Sequence, residues 1–164
     1  MPKDIQFTHL SWDDMEKNCL SICSQMSYNN YKPETIIGLL RGGIVPARIF
    51  SDFYNILLDF FALDVKLYNG VNSRNEVPSI KAFYGDVKGK NILVVDDIWD
   101  SGRTMSAVLD SLDCENVKTA TLYWKETALD QPDYYGGVAK HNEWIVFPWE
   151  RYEFWREMDE KAKS

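Results

Sequence analysis

The chain has 164 residues, a length that allows one domain with a hydrophobic core. Hydrophobic residues make up 45% of it and aromatic residues 14%, which is typical of a globular protein rather than a disordered one. The 18 basic residues against 25 acidic ones give a net charge of −7. We therefore expect no nucleic acid and no membrane surface as partners, because both attract basic patches, whereas a small anion held by local donors is compatible with this charge.

The expected cellular compartment is inferred from the apolar runs, the N-terminal residues and the cysteines. No apolar run approaches the ~18 residues of a membrane-spanning helix, and the N-terminus lacks the apolar core of a secretory signal. Cys19, Cys23 and Cys114 are an odd number of cysteines, and a zinc site would need further ligands, for which the histidines are His9 and His141. We expect reduced thiols in a cytoplasmic protein.

The first predicted elements are a helix and a strand. Ser11 and Asp14 form a capping-box pattern, and apolar residues spaced by three and four from Trp12 to Met26 predict an amphipathic helix that ends near Tyr28. The run Thr35–Leu40 is apolar and rich in β-branched residues, which predicts a buried parallel strand.

A second helix and two further strands are predicted next. The helix begins near Val45, with one apolar face made by Ile49, Phe50, Phe53 and Leu57. A strand is predicted at Asp64–Tyr68, a polar loop at Asn69–Pro78, another strand at Ile80–Tyr84 and a turn at Lys88–Lys90.

The second half predicts further alternation of strands and helices. Asn91–Val95 is the clearest strand in the chain, and a helix that begins near Thr104 turns four apolar residues inward: Met105, Val108, Leu109 and Leu112. The remaining elements are a strand at Val117–Trp124, an irregular segment at Gln131–Gly137, a strand at Trp144–Phe147 and a charged helix at Glu150–Lys161. This order predicts an α/β fold with a mainly parallel sheet, whose ligands bind beyond the carboxyl ends of the strands.

The segment Asp96–Thr104 carries unusual chemistry at such a strand end. Asp96, Asp97 and Asp100 precede Ser101–Thr104, which opens a helix. Small hydroxyl residues and a glycine at a helix N-terminus can cradle a phosphate, and the carboxylates can accept sugar hydroxyls or hold a divalent metal. The residues alone therefore fit either a site for a phosphorylated sugar or a solvated acidic turn before a capped helix.

The order of residues from Ile92 to Thr104 is more specific. It comprises four apolar residues, two acids, two variable residues, an acid, serine, glycine, a variable residue and threonine. This order resembles the phosphoribosyl pyrophosphate (PRPP) motif of type I phosphoribosyltransferases, and it is neither a Walker loop nor a dinucleotide fingerprint. The resemblance implies that residues 1–164 form one domain with the fold of that family, a central sheet flanked by helices. It also implies a small hood, formed by about residues 125–150 with the N-terminal helix.

Two further segments resemble the same family. Ile36–Ala47, whose Arg41-Gly42-Gly43 alone would read as a tight turn, resembles the pyrophosphate loop, in which the Leu40–Arg41 peptide bond is cis. Trp144–Glu150 resembles the purine hood of microbial and archaeal 6-oxopurine enzymes, and Lys125 ends the strand before it. Alone, Trp144 fits a core aromatic and Lys125 a surface cation.

The resemblance implies roles for the matching residues. Asp100 is the expected catalytic acid/base near the purine N7. PRPP and its phosphates are expected to be bound by Arg41, Gly42, Gly43, Asp96, Asp97, Ser101, Gly102, Arg103, Thr104 and Arg156. The purine is expected to be bound by Lys125, Trp144, Ile145 and Glu150. Mg²⁺ is the implied cofactor, with Asp96 and Asp97 near it through water. For Arg156, a charged helix face explains the residue equally well.

The implied reaction is transfer of 5-phosphoribose from PRPP to guanine, hypoxanthine or xanthine, with release of pyrophosphate. Lys125 favours a 6-oxo over a 6-amino group because lysine can only donate. Two alternatives stay open: a PRPP- or nucleotide-sensing regulator on the same fold, and a phosphoribosyltransferase for another base such as uracil, orotate or adenine. A homodimer or homotetramer is expected, with a mobile loop at about residues 69–77.

Overall fold

The structure is a computed structural model that describes residues 5–57, 59–68, 77–80, 87, 90–112 and 114–163. Its helices are α1 (Trp12–Tyr28), α2 (Ile44–Phe53), α3 (Arg103–Ser111) and α4 (Arg151–Lys163). Its strands are β1 (Gln6–His9), β2 (Thr35–Leu40), β3 (Phe60–Tyr68), β4 (Val77–Ile80), β5 (Ile92–Trp99), β6 (Val117–Lys125), β7 (Tyr134–Ala139) and β8 (Glu143–Val146). Within the described ranges, no helix is long and apolar enough to cross a membrane.

The central sheet has the strand order β4-β3-β2-β5-β6-β7. All neighbouring pairs from β3 to β7 are parallel, and β4 pairs antiparallel with β3 at one edge. The middle strands β2 and β5 are runs of mostly buried side chains, as expected for strands covered on both faces. This architecture confirms the predicted α/β class with a mainly parallel sheet.

Helices cover both faces of this sheet. Because successive side chains of a strand point to opposite faces, neighbouring residues of β5 enter different cores. Leu93 packs in the core that contains Phe50 of α2 and the buried face of α1, whereas Val94 packs in the core that contains Val108 of α3. The sheet therefore holds the ends of its strands rigidly between two packed layers.

Helix α1 has the predicted boundaries and the predicted cap. The Oγ atom of Ser11 accepts from the Asp14 backbone N–H at 3.1 Å, and the Asp14 carboxylate accepts from the Ser11 backbone N–H at 3.0 Å. The stripe predicted on this helix is buried from Met15 to Met26, while Trp12 at its start is 54% exposed. The strand predicted at Thr35–Leu40 is confirmed as β2.

A small second sheet was not predicted in full. Strand β1 pairs in parallel with β8, so that Phe7 lies beside Trp144. Phe154 of α4 packs edge-on against Phe7 and His9, with ring centroids 5.0 and 5.1 Å apart. The strand predicted at Trp144–Phe147 is therefore present as β8, but it belongs to this small sheet and not to the central one.

The segment Gln131–Gly137, predicted as irregular, is mostly the edge strand β7. This prediction was wrong because Gly136 and Gly137 resemble turn residues in the sequence. In the fold they serve close packing, since a Cβ at Gly136 would lie 2.6 Å from the Asn18 Cβ, and one at Gly137 would lie 2.8 Å from the Tyr123 ring. Helix α1 and strand β6 thus approach β7 over these glycines.

The apolar face predicted for the second helix was partly wrong. Helix α2 ends at Phe53, and Asn55 adopts a left-handed conformation with a φ of 56°. Leu57 therefore lies beyond the helix and is 76% exposed, and Phe53 is 54% exposed. Phe50 is the fully buried aromatic residue of this helix.

The region between the second and third helices differs from its prediction at three points. Strand β3 begins at Phe60, earlier than the predicted Asp64. Val77–Ile80 forms β4, so the predicted loop ends before Val77 and the next strand begins there. The rest of the predicted loop, residues 81–84 of the predicted strand and most of the turn at 88–90 lie outside the described residues.

Candidate active site

The carboxyl ends of β2, β5 and β6 meet at one edge of the central sheet. Arg41 follows β2, Asp96 and Asp97 lie near the end of β5, and Lys125 is the last residue of β6. The parallel register of β5 with β6 places Trp99 beside Trp124, so the residues that follow both strands emerge together. The fold thereby gathers segments from three distant parts of the sequence.

A main cavity of about 580 Å³ opens at this edge. The described residues that line it are Leu40, Arg41, Gly42, Val45, Val65, Asp96, Asp97, Thr104, Trp149, Glu150 and Glu153. Among these, four side chains are carboxylates and one is a guanidinium. Such a cavity suits a ligand that brings cations or many hydroxyl groups, and it needs a cation before it can hold a polyphosphate.

The loop between β2 and α2 packs directly on the acidic pair. A Cβ at Gly42 would overlap the Asp97 carboxylate, and one at Gly43 would lie 2.8 Å from the Asp96 Cα and the Leu39 carbonyl oxygen. The Leu40–Arg41 peptide bond is cis, as the family resemblance implied. A side chain at Gly43 would meet backbone atoms, and one at Gly42 would have to displace either the loop or the Asp97 carboxylate, so the loop backbone lies against the acidic pair.

Electrostatics disfavour two adjacent anions at the acidic pair. Asp97 is buried, and its backbone N–H donates to Oδ1 of Asp96 at 2.9 Å. Burial, followed by the charge of Asp97, raises the pKa of Asp96 well above its usual range, and burial also raises the pKa of Asp97. These two carboxylates offer the hard oxygen ligands that Mg²⁺ prefers, and a bound cation would remove their repulsion.

A second, smaller cavity of about 120 Å³ adjoins the first through a shared residue, Glu150. The described residues that line it are Ile98, Asp100, Lys125, Trp144, Ile145, Phe147 and Glu150. Lys125 is largely buried, and its Nζ lies 3.6 Å from Oδ1 of the exposed Asp100. Trp144 is 52% exposed, which leaves part of its ring free to contact a ligand.

Glu150 is an ionisable residue that lines both cavities. Burial, together with the nearby charges of Asp97 and Glu153, raises its pKa from 4.5 to about 7, although Arg41 acts in the opposite direction. A carboxyl with this pKa exchanges its proton near neutral pH, which is unusual for glutamate and typical of residues at functional sites.

Helix α3 begins at the rim of the site with a glycine. Gly102 is its N-cap residue and has a φ of 80°, which favours glycine. The buried Trp99 side chain packs beneath it, since a Cβ at Gly102 would lie 2.7 Å from Trp99 Nε1. Thr104, in the first turn of α3, lines the main cavity.

Comparison with known proteins decides the family. The model of the phosphoribosyl transferase domain matches residues 10–153. The chain belongs to this family. A curated relative, xanthine-guanine phosphoribosyltransferase of Idiomarina loihiensis, is 30% identical over 87% of this chain and 86% of its own length.

Solved structures of the family share the fold of this phosphoribosyltransferase. The purine phosphoribosyltransferase of Pyrococcus horikoshii Ot3 has a TM-score of 0.76 at 32% identity, covering 88% of this chain and 94% of its own. The xanthine-guanine-hypoxanthine phosphoribosyltransferase of Helicobacter pylori has a TM-score of 0.78 at 25% identity, covering 93% and 99%. The predicted type I phosphoribosyltransferase fold is confirmed.

The structure places most of the residues singled out in the sequence around the two cavities. Arg41, Gly42, Asp96, Asp97 and Thr104 line the main cavity, and the residues predicted to bind the purine line the smaller one together with Asp100. The predicted residues that line neither cavity are Gly43, Ser101, Gly102, Arg103 and Arg156. Gly43 packs on the acidic pair, Ser101 and Gly102 lie between β5 and α3, and Arg103 is the first residue of α3.

Arg156 is exposed on α4, and its contact with pyrophosphate stays a prediction.

Several lining residues had no assigned role in the sequence. Trp149 lies within the hood motif and stacks on Phe147, with ring centroids 4.9 Å apart, so the motif itself was a signal for both. Nothing in the sequence pattern pointed to Val65 or Glu153.

Proposed function

We propose that this chain is a purine phosphoribosyltransferase that acts in purine salvage. It transfers 5-phosphoribose from PRPP to guanine, hypoxanthine or xanthine and releases a nucleoside monophosphate and pyrophosphate. The observation that carries the proposal is the pair of adjoining cavities, one lined by the acidic pair and the Arg41 loop and the other by Lys125 and Trp144. The names of the Idiomarina and Pyrococcus relatives support the same substrate class.

PRPP would occupy the main cavity in an extended pose. Ser101, Gly102, Arg103 and Thr104 lead into the N-terminus of α3, where backbone N–H groups and the helix dipole favour the 5′-phosphate. Asp96 and Asp97 accept hydrogen bonds from the ribose hydroxyls. The diphosphate lies against Arg41 and the backbone of Gly42 and Gly43, with Arg156 as an additional donor.

Mg²⁺ is the proposed cofactor, and the acidic pair fits it. Asp96 and the buried Asp97 have adjacent carboxylates that would hold the ion through water. Protein sites for Mg²⁺ commonly combine one or two carboxylates with oxygens of the substrate. When bound, the ion neutralises charge on the diphosphate as it leaves. The residues themselves orient the ribose and leave its C1 open towards the smaller cavity.

The smaller cavity is the proposed base site. Lys125 donates to the purine O6, and the exposed part of the Trp144 ring packs on the base. Backbone carbonyls at Trp144 and Glu150 meet the purine 2-position, and Ile145 completes the base site. Asp100, close to Lys125, takes the proton from the purine N7 while another ring nitrogen forms its bond to C1, and the bond from C1 to the diphosphate breaks with the electron pair leaving on the diphosphate.

We further propose that residues 125–150 and helix α1 act as a hood over the base within one domain. Contacts between Trp12 and Trp149, with ring centroids 5.9 Å apart, support this arrangement. A homodimer or homotetramer in the cytoplasm is proposed as well, and the free thiols of Cys19, Cys23 and Cys114 are compatible with that location. Light scattering of the purified protein measures the assembly state.

The test is release of pyrophosphate from PRPP and Mg²⁺ with guanine, hypoxanthine, xanthine, adenine, uracil or orotate, against a reaction without base. Release with a 6-oxopurine and not with adenine supports the proposal. Release only with another base keeps the PRPP site and overturns the assignment of Lys125 and Trp144. If no base leads to release of pyrophosphate and the protein still binds PRPP or a nucleotide, the result overturns the enzyme and favours a regulator on the same fold.

A further inference from the structure

Arg41 is already engaged by a carboxylate of the same chain. Its Nη2 atom donates to Oε1 of Glu153 at 2.9 Å and to Oε2 at 2.7 Å. Arg41 follows β2, whereas Glu153 lies in the first turn of α4, 112 residues away in the sequence. Both side chains line the main cavity, so the ion pair lies inside the proposed PRPP site and not on a distant surface.

This ion pair and a diphosphate would use the same donor. Guanidinium N–H groups bind carboxylate and phosphate oxygens with similar geometry. Both oxygens of Glu153 accept from Nη2, so this nitrogen is not open to a phosphate oxygen, and the carboxylate offsets the positive charge that attracts a diphosphate, although the donors on Nη1 and Nε lie outside the contact. A diphosphate that uses Nη2 and the full charge of Arg41 therefore has to displace Glu153 from this contact.

The surroundings make the contact easy to exchange. The two side chains are 81% and 44% exposed, and exposed ion pairs of this kind are weak. Glu153 also faces three other carboxylates around the cavity: Asp96, Asp97 and Glu150. Among the described lining residues, Arg41 is the cation that offsets this charge, so Glu153 is held in the cavity chiefly by Arg41.

We propose that Glu153 competes with the diphosphate for Arg41. It holds the guanidinium in the empty site, is displaced when PRPP binds, and takes the guanidinium back as pyrophosphate leaves. Glu153 thereby lowers the affinity for PRPP and for pyrophosphate and favours product release. This inference rests on the proposed function, because it needs a diphosphate at Arg41.

The experiment is calorimetric titration of pyrophosphate, with excess Mg²⁺, into the wild type, Glu153→Gln and Glu157→Gln. Glu157 lies one turn further along α4, and its Oε2 lies 3.8 Å from Nζ of Lys161. It lines neither cavity, so Glu157→Gln is the matched control. We expect Glu153→Gln to bind pyrophosphate about two- to fivefold more tightly, and Glu157→Gln to stay within about 1.5-fold of the wild type. Equal affinities of the wild type and Glu153→Gln overturn the competition.

A double-mutant cycle on the KM for PRPP separates competition from simple charge repulsion. Glu153→Gln lowers this KM when Arg41 is present and leaves it unchanged in an Arg41→Gln background, because no guanidinium is left to release. An equal decrease in both backgrounds overturns the competition, since Glu153 then acts by charge alone. If the wild-type protein neither binds pyrophosphate nor turns over PRPP, the proposed function is overturned as well. If the wild type turns over PRPP and Glu153→Gln changes neither the pyrophosphate affinity nor the KM for PRPP, only the role of Glu153 is overturned.

Discussion

Asp100 and Lys125 bring two complementary functions to one point of the site. Lys125 can only donate, whereas a carboxyl can both accept and donate a proton. Their side chains lie 3.6 Å apart at the ends of neighbouring strands, and both line the smaller cavity. A base held there would meet a fixed donor and a proton-exchanging group together, which is what a ring nitrogen needs as it forms a bond to C1.

Replacing Asp100 with asparagine should separate chemistry from binding. We expect kcat to fall about 10²–10⁴-fold, because the amide cannot exchange a proton, while the Kd for PRPP stays within about threefold of the wild type. Asp100 lines the smaller cavity and not the main one, which is why PRPP binding is retained. Steady-state kinetics and PRPP titration measure both quantities. A kcat within about threefold of the wild type contradicts the acid/base role.

Glu150 should make the stability of the ligand-free protein depend on pH. Its pKa is raised from 4.5 to about 7 in the folded state. Between these values the unfolded chain releases the proton while the folded protein keeps it, so this residue lowers stability as pH rises through that window. Glutamine does not titrate, so Glu150→Gln lacks this decrease of stability with rising pH. The Tm of the variant minus that of the wild type should therefore increase by about 2 °C or more from pH 5 to pH 8 in thermal melts without Mg²⁺. A difference that is constant with pH contradicts this pKa.

At the scale of elements, the site is made by loops that leave the carboxyl ends of packed strands. The loop after β2 lies on the acidic pair of β5 with no room for a side chain at Gly42. Gly42→Ala should displace either this loop or Asp97, and we expect the KM for PRPP to rise at least about tenfold. Steady-state kinetics with PRPP as the varied substrate measures the change.

The control for that substitution is Gly136→Ala on β7. A Cβ there would crowd Asn18 of α1, and Gly136 lines neither cavity, so this substitution should lower the Tm and leave the KM for PRPP within about twofold. A Gly42→Ala enzyme with an unchanged KM for PRPP would show that the loop does not bind the diphosphate.

The elements that the sequence predicts correctly have local signals. The helix α1 is marked by its capping box and apolar stripe, β2 and β5 by short apolar runs, and the PRPP motif by a fixed order of residue types. In each case the residues that determine the structure lie within about fifteen positions of each other. The acidic pair and the Arg41 loop are recognisable in the sequence for the same reason, because each motif is contiguous along the chain.

The features that escaped prediction depend on distant partners. Strand β1 is a short, mostly exposed segment that becomes a strand only by pairing with β8 near the other end of the chain. Strand β7 contains Gly136 and Gly137, which indicate a turn until the packing of Asn18 and Tyr123 is known. The contact of Glu153 with Arg41 follows from the position of α4 over the cavity, which no local pattern encodes.

At the scale of the whole molecule, an acidic protein has an acidic main cavity, and the ligand proposed for that cavity is itself anionic. The net charge of −7 and four carboxylates around the cavity would repel PRPP if it arrived alone. The proposed Mg²⁺ resolves this conflict, because a divalent ion lowers the charge of both ligand and site. The charge of the site thus agrees with a function that depends on Mg²⁺.

The most direct measurement is kcat/KM for hypoxanthine and for adenine at saturating PRPP and Mg²⁺, with the nucleoside monophosphate identified by mass. The arrangement of Lys125, Asp100 and Trp144 predicts that hypoxanthine is preferred by at least about 100-fold, because a buried donor left without an acceptor is costly. It also predicts that Lys125→Met loses most of this preference. A wild-type enzyme that uses adenine as well as hypoxanthine would contradict the assignment of a 6-oxopurine site.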